Sequence, residues 1–242
     1  MAARYAGTAC LSTPTPTNDM AEQLFNPQRK ALIVGSCCAA SVRCYAAMLT
    51  ASKVIVDSGE THLPLRHSHH RYEVDGPNGV QKLTVPLVGS TNSLPVPMAD
   101  VLISEHANWR HLHWGALFSA YGKSPYFDYA ADDLAAVING NQHHLIDFNT
   151  QMQTMITEFL DLPICFETRP VSHEEATSSD VIDLRGKIAG KKPDTLPIAD
   201  VPYYQMWSGN GGFRPRLSII DLLMNEGREA IFTLARMTGM KL

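Results

Sequence analysis

Ala31-Leu32-Ile33-Val34-Gly35-Ser36 and Lys53-Val54-Ile55-Val56-Asp57 are two short apolar runs bounded by small or polar residues. Runs of this kind read as buried strands. Between them, Cys37 to Ala51 is rich in small residues and contains neither Pro nor Gly, which predicts a helix packed closely on those strands. Strand, helix and strand within about 30 residues predict a βαβ unit with its two strands parallel.

Outward from this unit the pattern changes. His70 to Asp75 and Gln81 to Val88 alternate as strands around Asp75-Gly76-Pro77-Asn78-Gly79, whose composition suits a tight reversal. A β-hairpin is expected there. Ala99 to Ser104 reads as one more strand. Between Asn108 and Tyr121, the residues Trp114, Leu117, Phe118 and Tyr121 recur at helical spacing, and Gly122 follows as a stop. Asp128 to Ile138 and Gln142 to Leu160 are expected to be helices, the latter with Leu145, Phe148, Met152, Met155 and Phe159 on one face. Ile164 to Glu167 reads as a strand and the polar stretch Thr168 to Pro202 as a linker or loop. Leu217 to Glu226, ended by Gly227, and Arg228 to Met237 read as closing helices. The fold class is therefore α/β: a βαβ start with a β-hairpin, then a mainly helical C-terminal half, in a single domain over residues 29–242. Ser, Thr, Pro and Asn dominate Leu11 to Asp19 and no period is sustained, so residues 1–28 are expected to be a disordered tail.

The chain has 242 residues and a formal net charge of −4, so nothing in its charge favours nucleic acid, which is held by clustered Lys and Arg. Five cysteines, an odd number without a CxxC pair, suit reduced thiols in the cytoplasm better than a disulfide framework. No apolar run reaches the ~20 residues that span a bilayer. Dinucleotide, phosphate-loop, HExxH and GxSxG motifs are all missing, and no motif specifies a cofactor.

Several polar groups are candidates for chemistry. His62, His67, His69 and His70 are clustered. His67 and His69 would share one side of a strand and, with a third ligand, suit zinc, or they form a solvated polar loop. His113 lies beside Trp109, Arg110 and Trp114, a setting that suits a sugar ring or base as well as plain packing. Ser218, Asp221 and Asn225 fall on one face of an otherwise apolar helix. That face is either a hydrogen-bonding site, an internal network or a solvated stripe begun by a capping serine. Asp147 and Asn149 interrupt another apolar helix, where burial would equip Asp147 as a base. Cys37 and Cys38 near a helix start would be activated thiols if the helix dipole reached them, and core residues otherwise.

Taken in order, Asn78-Gly79, Leu83-Thr84-Val85-Pro86, Trp109-Arg110, Ser124-Pro125-Tyr126-Phe127, Asp147-Phe148-Asn149, Pro202-Tyr203-Tyr204-Gln205 and Leu217 to Asn225 resemble the WbqC-like family, in its Bacteroidetes-type branch. The resemblance implies a bacterial role in surface-polysaccharide (O-antigen) or sugar-nucleotide metabolism, with group transfer to an aminosugar as the reaction class. It implies a small-molecule or sugar-nucleotide ligand. Where relatives carry a Lys and then an Arg-Asn-Arg run, this chain has Leu65 and His69-His70-Arg71, so Arg71 alone keeps its charge. On this reading His69, His113 and Asp221 are the catalytic candidates. Arg71, Trp109, Tyr121, Asp147, Asn149, Ser218 and Asn225 are the binding candidates. The alternatives are a non-catalytic accessory protein of the same pathway, with a protein partner, and a zinc enzyme built on the histidines.

Overall fold

The computed structural model describes residues 29–62, 69–89, 96–187, 196 and 198–240. The N-terminal tail expected over residues 1–28 lies outside them. Strand β1 (Ala31–Gly35), helix α1 (Val42–Leu49) and strand β2 (Val54–Asp57) form the βαβ unit, and β1 and β2 pair in parallel with Leu32 opposite Val54 and Gly35 opposite Asp57. Side chains on a strand alternate between faces. Accordingly Leu32, Val34, Val54 and Val56 enter the main core, while Ala31, Ile33 and Ile55 pack beneath Val171, Ala176 and Val181. Helix α1 begins later than its composition suggests. Ser41 is its N-cap, accepting a hydrogen bond from the Cys44 N–H, and every residue of the helix is buried.

Strands β3 (Thr61–His62) and β6 (Val96–Pro97) form a short antiparallel ladder. The hairpin consists of β4 (Arg71–Gly76) and β5 (Gly79–Thr84), with Gly76 opposite Gly79. Gly79 has φ +93°, a conformation that glycine enters without steric cost. The expected strand Ala99–Ser104 does not form. A 3-10 turn occupies Met98–Asp100, and only isolated bridges follow, Leu102 to His144 and Leu87 to Ile103. Among the described residues no strand pairs with this segment over more than an isolated bridge, so β propensity has no continuous ladder to act on.

Helices α2 (Trp109–Tyr121), α3 (Phe127–Ile138) and α4 (Leu145–Phe159) form the helical layer. The buried face of α2 is Trp109, His113, Leu117, Ala120 and Tyr121, whereas Phe118 is 60% exposed. The inner stripe is thus rotated from the expected one, because the hairpin takes His113 and Ala120 against itself. Strand β7 (Phe166–Arg169) joins β2 in parallel. The polar stretch expected to be a linker instead supplies helix α5 (His173–Ala176) and strand β8 (Val181–Asp183), which joins the free side of β1 in parallel. The sheet order is β7-β2-β1-β8. A three-residue edge strand has too few residues to show a period, so its polar flanks dominated the reading. Helices α6 (Ile219–Glu226) and α7 (Ala230–Thr238) end the chain. Among the described residues no helix is long and apolar enough to cross a membrane.

Candidate functional site

In parallel sheets ligands bind outside the carboxyl ends of the strands, near the point where strand order reverses. Here β1 leads to β2 on one side and borders β8 on the other, so the place to search is the segment following Gly35, Asp57 and Asp183.

That edge is polar and buried. Ser36, Glu60 and His69 are all buried, and His69 Nε2 stands 3.6 Å from Glu60 Oε2. Asn149, projecting from α4, donates through Nδ2 to Ser36 Oγ (2.9 Å) and to the His69 carbonyl (2.9 Å). Gly35 is required by this packing: a Cβ there would lie 2.1 Å from Glu60 Oε2 and 3.3 Å from His69 Nε2. The Asn149 Oδ1 is buried and accepts no hydrogen bond from any described residue. A buried acceptor left without a donor carries a desolvation cost. Beside this cluster, Asp57 Oδ1 accepts from the backbone N–H groups of Gly59 (2.9 Å) and Val171 (3.1 Å). Its Oδ2 pairs with Arg185 Nη1 at 2.5 Å, and Arg185 also grips Asp183. The guanidinium thereby ties the ends of β2 and β8 together across β1.

Four of these groups, Ser36, Asp57, Glu60 and Arg185, were not singled out from the sequence. A signal existed for three of them: they lie within or just beyond the carboxyl ends of the two runs that define the βαβ unit. Arg185 offered none, because its strand was read as linker.

The predicted residues separate into distinct places. His69 and Asn149 meet at the strand edge. Arg71 opens β4 and is half-buried. His113 and Trp109 sit between α2, the hairpin and α4. His113 Nδ1 is 3.1 Å from the Tyr72 hydroxyl and its Nε2 3.0 Å from the Thr84 carbonyl. That arrangement fits a neutral ring donating from Nε2 and accepting at Nδ1. Burial and nearby Arg110 lower its pKa to about 4, against a smaller upward pull from the Thr84 carbonyl. Trp109 stacks edge-on against His113 and Phe148, and Arg110 lies 4.5 Å over its ring.

Asp221, Tyr121, Ser218 and Asn225 belong to another network. Asp221 accepts from the hydroxyls of Tyr121 (2.9 Å) and Tyr203 (2.6 Å) and from Gln205 Nε2 (3.0 Å). Burial raises its pKa to about 6, and neighbouring Asp75 pushes the same way, while the three donors hold it back. Ser218 caps α6 by accepting from the Ile220 N–H and donates to the Ala39 carbonyl, and Asn225 Nδ2 donates to the Asp221 carbonyl. The polar face of this helix is an internal network: Ser218, Asp221 and Asn225 are 2%, 1% and 5% exposed, so solvent is excluded. Asp147, in the first turn of α4, is partly exposed and lies 3.8 Å from His144.

Cys37 and Cys38 precede the N-cap Ser41 rather than opening the helix, and burial pushes the Cys38 thiol well above its ordinary range. Cys38 is therefore a core thiol, not an activated one. Among the described residues no three His, Cys, Asp or Glu side chains form a metal-holding group. His67 and the His62 side chain lie outside them.

The fold and this edge define an α/β protein with a parallel sheet and a buried polar cluster at its strand ends. A model of the WbqC-like protein family matches residues 44–193, more than half of the chain, and the chain belongs to that family. It is 26% identical over 190 residues to the uncharacterized protein Rv1507c of Mycobacterium tuberculosis, covering 68% of this chain and 80% of that one. No solved structure matches.

Proposed function

We propose that the protein is a group-transfer enzyme of surface-polysaccharide or sugar-nucleotide metabolism, acting in the cytoplasm on a ligand held at the carboxyl edge of the sheet. The observation that carries this reading is the buried Glu60–His69 pair, set against Ser36 and Asn149 where parallel sheets hold ligands. A carboxylate beside an imidazole stabilises the imidazolium, so His69 takes a proton from the hydroxyl or amine of an acceptor as that atom bonds to the transferred group, while the bond from that group to its donor breaks and the remainder of the donor leaves with the bonding electron pair. Asn149 and Ser36 orient polar groups of the substrate. Arg71 holds an anionic group of the donor, as a guanidinium suits phosphate and carboxylate. His113, Tyr121, Asp221, Ser218 and Asn225 keep the scaffold rigid in this reading, because each spends a polar group on a buried protein partner, and Trp109 does so by packing against His113 and Phe148.

The second reading is a non-catalytic accessory protein. The internal satisfaction of Asp221 and Ser218 favours it, since both were candidates for touching substrate.

Thermal-shift measurements on the full chain with nucleotide-sugars and acyl-coenzyme A compounds test the proposal, because a ligand that binds the native state raises its melting temperature. A shift with one class, lost in His69→Ala and Arg71→Ala, is expected. A shift that both variants retain in full would remove the edge as the site. Flat responses across all ligands favour the accessory reading.

A further inference from the structure

Helices α3 and α4 leave an open groove of about 870 Å³ between their outer faces, with Arg228 also in its lining. It lies apart from the strand edge, and α4 separates the two: Asn149 faces the sheet, while Thr150, Thr154 and Glu158 face the groove. Its size is that of ligand-binding clefts.

Three features equip this groove to take a ligand. First, its wall is built. The Tyr126 ring rests on Gly227, where a Cβ would come within 2.3 Å of the ring, and Gly227 holds φ +54°. This glycine thus lets Tyr126 lie flat at the groove end and places Arg228 beside it. Second, Tyr129 is 75% exposed, with its ring 6.3 Å from that of Tyr126. The exposed Tyr129 ring and the half-buried Tyr126 ring beside it offer flat apolar surface with a hydroxyl at each tip. Third, the side chains of Asp133, Thr150, Thr154, Glu158 and Arg228 make no hydrogen bond or ion pair with any described residue.

We propose that this groove binds an oligosaccharide carrying protonated amino groups. A pyranose ring has an apolar face that stacks on tyrosine and a rim of hydroxyls that carboxylates and threonines accept from or donate to. The two carboxylates, Asp133 and Glu158, outnumber the one cation, Arg228, so the groove selects cationic over acidic sugars. The inference stands without the strand-edge reaction, and it gives that reaction a remote hold on a glycan acceptor.

Isothermal titration of the full chain tests it, with the β-1,4-linked glucosamine tetramer as probe, its N-acetylated form and a tetragalacturonate as comparators. The glucosamine tetramer is expected to bind, more weakly at high salt, and the tetragalacturonate not at all. Tyr129→Ala, a change at an exposed position, should weaken binding about tenfold. The double variant Asp133→Asn/Glu158→Gln should erase the preference for the amine over the N-acetyl form. His69→Ala should leave all of this unchanged, which separates the groove from the strand edge. No heat with any amino sugar, a preference for the acidic tetramer, or affinities insensitive to Tyr129→Ala and to the double variant would each overturn the proposal.

Discussion

Tyr203→Phe is the sharpest probe of the buried network, because it deletes one hydroxyl and nothing else. That hydroxyl donates to Asp221 Oδ2 at 2.6 Å. A hydrogen bond to an ionised group contributes about 2 kcal/mol and one between neutral groups about 1 kcal/mol. Asp221 has its pKa raised by burial to about 6 in the folded protein, above the ordinary aspartate range. It is therefore ionised well above pH 6 and protonated well below it. The variant should lose about 2 kcal/mol at slightly alkaline pH and about 1 kcal/mol near pH 4.5. By linkage, that difference of about 1 kcal/mol equals a further rise of roughly 0.7 units in the pKa of Asp221. Urea unfolding at the two pH values, for wild type and variant, measures it. His113 titrates in the same window, but it shares no hydrogen-bonding partner with Asp221 and cancels in the comparison. Equal losses at both pH values would refute the reasoning, since they would mean that the bond is not made to a carboxylate that changes charge. A larger loss at acid pH would refute it outright.

Other outcomes follow from the same geometry. The pKa of His113 is lowered in the folded state, so protons bind the unfolded chain more tightly and stability falls as pH drops from about 6.5 to about 4; His113→Gln should remove about 3 kcal/mol of that dependence in acid titration followed by circular dichroism. Asp221 acts with the opposite sign: its raised pKa costs stability as pH rises from about 4 to 6, so the wild-type profile is flatter than that of His113→Gln or of Asp221→Asn. Arg43, 5% exposed, donates to the Ile198 carbonyl at 2.6 Å and to Asp200 at 2.6 Å; Arg43→Met should cost about 3 kcal/mol in urea unfolding by stranding those acceptors. Gly35→Ala should displace the Glu60 carboxylate and abolish any ligand-induced thermal shift at the strand edge, while leaving glycan binding in the groove intact.

Local signals carried far in this chain. The apolar runs at Ala31–Gly35 and Val54–Asp57, the turn chemistry before Gly79 and the helical spacing through α2 to α4 each state their structure within a few residues. Such signals arise from backbone geometry, which is encoded by neighbours. Where an element depends on a partner from elsewhere, the reading failed. Val181–Asp183 is a strand only because β1 offers it a free edge, and Ala99–Ser104 is not one because, among the described residues, only isolated bridges reach it.

The same division runs through the candidate sites. From the sequence alone came the α/β class, the family resemblance, the histidine beside the strand edge and the polar face of Ser218, Asp221 and Asn225. Tertiary structure decided what those groups do. It brought Tyr121 and Asp221 together across 100 positions and Asn149 to Ser36 across 113, and it set Glu60 against His69. A hydrogen bond between distant residues leaves no period or spacing in the chain. Its cost and its partner are determined only when burial removes the water that would otherwise satisfy both groups.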